Sequence, residues 1–177
     1  MAGPLWAGIV VVVLVALGFF LVQRLQSGIT FPDTIAGYQQ NESQIADALT
    51  ETVEERLKSM GVEGKVAIYG DLATPGFVVI AFETGGSSLP GGMEDFASGF
   101  AASGAGSVDT GQAVTETRDG VTYRCATIIL DRPTTIGDPR AVCLWTDQDT
   151  AGVVVDAVSA DTTVAMDLAS NVHDSVG

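Results

Sequence analysis

Residues 114–126 read VTETRDGVTYRCA. Two runs, VTETR and VTYRCA, are separated by Asp119-Gly120, a pair that tolerates the positive φ angles of a type I′ turn. The spacing predicts a two-residue hairpin in which Arg118 pairs with Val121 and Val114 with Cys125. One face then carries Val114, Val121, Tyr123 and Cys125. The other carries Thr115, Thr117, Thr122 and Arg124 and reads as a wet face. Further strand patterns at 123–130, 140–147 and 151–158 extend the hairpin into a β-meander.

The cysteines sit inside that meander. Cys125 and Cys143 stand nine residues on either side of Thr134, within the loop 131–139. If the loop joins antiparallel strands symmetrically, the two thiols face each other within disulfide reach. Trp145 shares the face of Cys143 by period two and is expected to pack against the cystine rather than stack on a ligand.

Upstream of the meander, residues 41–60 predict a helix capped by Asn41 or Ser43. Ile45, Leu49, Val53, Leu57 and Met60 form its apolar stripe, and Gly61 follows the last turn. Strands are expected over 65–71 and 76–83. Phe77 to Phe82 is apolar on both faces, the mark of a central strand covered on two sides. Residues 85–111 hold eight glycines around a short helix marked by Met93, Phe96, Ala97 and Phe100, and read as a flexible segment. A closing helix begins at Asp161, with Val164, Leu168, Val172 and Val176 as its stripe beside Ala165 and Ala169. Runs of strands without strict β-α alternation predict an α+β fold, a mainly antiparallel sheet with two or three helices packed on one face.

The other end of the chain has a different solvent in view. Residues 4–22 read PLWAGIVVVVLVALGFFLV, 19 residues without a charge. As a helix this run would span roughly 28 Å, close to the hydrocarbon thickness of a bilayer. It lacks the basic head, short core and small-x-small site of a cleaved signal, so it is expected to stay as an anchor. The expected organisation is a transmembrane anchor over 1–23, a linker over 24–40 and an extracytoplasmic domain over 41–177. Arg24 alone favours a cytoplasmic C-terminus, whereas the cysteine pair and the acidic, lysine-poor body favour the outside.

The whole chain has a net charge of −14, and 22 acidic against 7 basic groups follow residue 28. An acidic body with one histidine argues against nucleic acid, anionic headgroups and histidine-based chemistry. Asp147-Gln148-Asp149-Thr150-Ala151-Gly152 opens like a calcium loop. Position 5 is Ala151 and position 12 is Val158, so Asp147 and Asp149 are at most weak cation ligands and read first as a tight Asx turn. Asp131, Asp138, Asp147 and Asp149 are candidates for a crowded carboxylate group at one end of the meander. No serine satisfies G-x-S-x-G, no phosphate loop is present, and Gly104-x-Gly106 lacks a third glycine. His173 falls off the stripe of its helix and reads as a surface residue. No catalytic residue and no cofactor are expected.

FPDTIAGYQQ (31–40), GVTYRCA (120–126) and AVCLWTDQDTAGVV (141–154), behind an uncharged span and before an amphipathic helix, resemble small membrane-anchored envelope proteins of actinobacteria. The resemblance implies a location in the cell envelope and the pair Cys125–Cys143, with no catalytic residues. Together these readings predict a single-pass, non-catalytic binding domain with an envelope protein as partner. A carboxylate-based hydrolase and a cytosol-facing accessory subunit of a membrane complex are the alternatives.

Overall fold

The structure, a computed structural model, describes residues 28–59, 63–71, 75–84, 92–102, 104, 106–131 and 140–176. The expected span 4–22, most of the loop around Thr134, Asp138, Gly61 and residues 85–91 lie outside the described residues. Among the described residues no helix is long and apolar enough to cross a membrane.

The Asp119-Gly120 hairpin forms with both turn residues at positive φ, 50° and 87°. It joins β6 (Val114–Arg118) to β7 (Val121–Leu130), with Arg118 opposite Val121 and Val114 opposite Cys125. In a two-residue hairpin the flanking pair is hydrogen-bonded, and the pairs alternate from there. Cys125 therefore directs its backbone groups toward β6 and meets the next strand, β8 (Ala141–Thr146), in a close, non-hydrogen-bonded pair. Its partner there is Cys143, at a Cα separation of 4.1 Å, and the two are joined as a cystine. The turn chemistry thus sets where the disulfide can form.

From β8 the meander continues into β9 (Thr150–Asp156), which pairs with β4 (Pro75–Glu83), which pairs with β3 (Gly64–Gly70). The spatial order is β3-β4-β9-β8-β7, antiparallel throughout. The far end of β7 pairs with β5 (Gly106–Val108), so β5 and β6 share one edge, divided by a 3-10 turn at Thr110–Gln112. A separate small hairpin is made by β1 (Thr34–Ile35) and β2 (Tyr38–Gln39).

Helices cover both faces of this sheet, not one as expected. Helices α1 (Gln44–Ser59) and α2 (Gly92–Ala102) pack with Val66, Ile68, Val78, Ile80, Val142, Leu144 and Val153. Helix α3 (Thr162–Ser175) lies on the opposite face with Tyr123, the cystine, Trp145 and Val154. The reason is in the strands. β4 and β8 are apolar at consecutive positions, and a single helical layer would leave every second residue in water at about 1.5–3 kcal/mol each.

The residues expected as a linker also belong to this core from Gly28 onward. Ile29 and Ile35 are buried, Phe31 and Tyr38 pack beside them, and the Tyr69 hydroxyl donates to the Pro32 carbonyl at 2.6 Å. This strap covers Ala67, Tyr69, Phe77 and Val79, the half of the face that α3 leaves open.

The expected helical stripes hold except at their first positions: Leu49, Val53 and Leu57 of α1, and Leu168, Val172 and Val176 of α3, all pack against the core. α1 buries Ala46, Val53 and Leu57 and exposes Ile45, and the Ser43 hydroxyl accepts from the Ala46 amide at its start. α3 buries Ala165, Met166, Ala169 and Val172, while Val164 is exposed. Small alanines let this helix lie close to the aromatic side chains beneath it. Its start is capped by Asp161, which accepts from Thr163 and Val164 amides.

Candidate functional site

A cluster of polar side chains centres on the turn between β8 and β9. Asp147 builds that turn. Its Oδ1 accepts from the amides of Asp149 (2.7 Å) and Thr150 (2.5 Å), and its Oδ2 accepts from the Thr150 hydroxyl (3.0 Å). The turn is fastened to the end of β4, where the Thr84 amide donates to the Asp149 carbonyl and the Thr84 hydroxyl to the Gln148 carbonyl. The Asx turn expected from the sequence is therefore present, with Asp147 as its organiser.

The sequence reading missed what else Asp147 holds. Its Oδ2 lies 2.6 Å from Nε2 of His173, in the last turns of α3. Nδ1 of the same ring faces Asp174 at 3.2 Å, and the ring stands edge-on to Tyr123, with centroids 6.4 Å apart. His173 and Asp147 side chains keep only about a fifth of their surface exposed, 19% and 20%. The histidine off the stripe is thus a clasp between the C-terminal helix and the sheet. A helical wheel shows the position but not the crossing angle that turns it toward β8. The one available signal was that Asp147 and His173 both fall at the ends of their elements.

Burial is the largest single influence on Asp147 and pushes its carboxyl upward. The Thr150 amide, His173, the Asp149 amide and the Thr150 hydroxyl together outweigh it and hold the carboxyl below its ordinary range. Burial raises the Tyr123 phenol, against a hydrogen bond from Ser170. Asp156, buried at the other end of β9, is raised by desolvation although it accepts from the amides of Val158 and Ser159.

The chemistry open to this cluster is limited. A histidine held by an aspartate orients a general base when its other nitrogen faces a nucleophile. Here the other nitrogen faces the Asp174 carboxylate. Among the described residues no three histidine, cysteine, aspartate or glutamate side chains converge as a metal site. Asp149 contributes backbone groups to the turn. The expected crowding of carboxylates does not form between Asp131 and Asp147. Thr122 pairs with Thr146, so Asp147 lies beside the start of β7 whereas Asp131 follows its far end. Successive connections of an antiparallel meander alternate ends, and that separates the two groups.

Cys125 and Cys143 are joined as expected and are wholly buried. Trp145 is buried on the same face, opposite Tyr123 on one side and Gly152 on the other. Its indole lies over Gly152, and its Nε1 has no hydrogen-bond partner among the described residues. No protein-family model, no curated protein and no solved structure matches the chain.

Proposed function

We propose that the chain is a single-pass membrane protein whose folded part is an extracytoplasmic binding domain of the cell envelope, akin to the small actinobacterial proteins it resembles. The observation that carries this reading is the buried cystine, Cys125–Cys143, in a chain that also holds the uncharged run 4–22. A paired cystine in a core favours an oxidising compartment. Only Gln23 to Ser27 separate the run from Gly28, whose amide donates to Glu83 at the end of β4. Even fully extended, those residues reach about 20 Å, which keeps the domain beside the bilayer. We take the domain to bind rather than catalyse; its single histidine, with a carboxylate beside each ring nitrogen in a structural clasp, supports this against histidine-based catalysis.

The test is protease treatment of intact cells that express the chain with a C-terminal epitope. Loss of the epitope while a cytosolic marker survives is the expected result. Protection of the epitope until the membrane is opened would place the domain in the cytosol and favour the accessory-subunit reading.

A further inference from the structure

The two edges of the sheet are treated differently. At β3 several of the outward backbone groups are occupied. The Val66 amide donates to Glu54 Oε1 at 3.0 Å, the Ile68 carbonyl accepts from the Asn41 amide at 2.8 Å, and Gln40 forms a bridge with Tyr69. The Asn41 side chain also donates to the Gly70 carbonyl. This is how proteins protect an edge from further pairing.

At the opposite edge, β6 pairs only with β7 among the described residues. The alternation that directs Val114, Glu116 and Arg118 toward β7 directs the backbone groups of Thr115 and Thr117 outward. The strand is regular, has neither proline nor bulge, and is exposed from Val114 to Thr117. Two of the exposed large apolar side chains belong to the elements of this edge: Val114 on β6, 43% exposed, and Val164 on α3, 50% exposed. Val164 lies one turn before Asp167, which reaches β6 to pair with Arg118 at 2.7 Å. Charge also gathers there with one sign in excess. Arg118 is matched by Glu116 and Asp167, Arg124 by Glu94, and Asp109 and Asp119 bracket the strand.

We propose that the free edge of β6 is the binding surface of this domain, and that it takes an extended, basic peptide segment of a partner protein as an added strand. The segment would pair its backbone with Thr115 and Thr117. It would set a β-branched or apolar side chain against Val114 and Val164, and place Lys or Arg among the carboxylates. A second copy of the chain fits less well, because two bodies of net charge −14 repel. The inference rests on the binding-domain reading and names its surface. The intact-cell experiment tests location and the one below tests the edge, so the two can fail separately.

The full chain in mild detergent micelles is titrated against a fluorescein-labelled nine-residue peptide that alternates Lys with Val and Thr, read by anisotropy. Saturable binding that weakens with salt is expected. The same peptide N-methylated along both edges, and the peptide with Glu for Lys, should each bind at least tenfold more weakly. Thr115→Pro removes an outward amide and no bond to β7, so it should also cost at least tenfold. If that variant melts, the methylated peptide on the unaltered chain still decides. Equal binding of the methylated or the acidic peptide, or no binding of the basic one, overturns the proposal. So does a dimer of the chain that Thr115→Pro dissolves, which would make the edge a self-association surface.

Discussion

At the residue scale, Gly152 shows how one position can hold a packing arrangement. It pairs with Trp145 on one side and Ala81 on the other, and the indole lies across it. A Cβ at this site would overlap the indole ring and stand 2.6 Å from the Ile80 carbonyl oxygen. The backbone of β4 is held by strands on both sides, and Trp145 is fully enclosed, so neither can yield cheaply. Gly152→Ala is expected to cost about 2–3 kcal/mol, read as a lowered urea midpoint with unchanged slope. Trp145→Phe in the same chain should recover part of that loss, and strictly additive effects would sink the explanation. The sequence placed this glycine where a calcium loop has one. Its actual duty follows from the β8–β9 register, which a pattern of apolar residues does not supply.

At the scale of elements, the sequence was most legible where local chemistry dictates geometry. Asp119-Gly120 set a register that carried through to Cys125, and Asp161 marked the start of α3. It was least legible where packing chooses among apolar residues. Ile45 and Val164 have the right periodicity but the wrong side, because smaller neighbours, Ala46 and Ala165, let their helices approach the sheet more closely. The strap over 29–40 shows the same limit: its apolar residues are too sparse to announce a core segment. The clasp between α3 and the β8–β9 turn gives this scale its prediction. The folded pKa of Asp147 is depressed, so its stabilising effect is fully present above the ordinary, unfolded value and is lost as pH falls through the lower folded one. Asp147→Asn should therefore lower stability at pH 7 by about 1–2 kcal/mol, through weaker bonds to the turn amides and His173. The gap from the unaltered chain should begin to narrow below about pH 4 and shrink further toward about pH 2.5. Urea midpoints of both proteins from pH 7 to 2.5 measure it, and a gap that persists unchanged at pH 2.5 contradicts the assignment.

At the scale of the molecule, the meander and the cystine were readable, whereas the two-sided coverage was readable only from β4. Its run from Phe77 to Phe82 demanded a cover on each face, but nothing in the chain's order says which helix supplies which. The answer bears on the disulfide. Cys125 and Cys143 are fully enclosed, and α3 packs on that face. Their loop spans 18 residues, for which chain entropy assigns roughly 3 kcal/mol of stabilisation. Replacement of both cysteines by alanine should lower the unfolding free energy by about that amount, since the alanines vacate little volume beneath the helix. The burial adds a kinetic expectation. A thiol reagent should label neither residue in the native protein, and a mild reductant should act at the rate at which α3 or the whole fold opens, rising steeply in urea. Labelling of both cysteines in the native chain without reductant would remove the cystine. It would also remove the main support for an oxidising compartment, because the acidic surface alone does not distinguish one side of a membrane from the other.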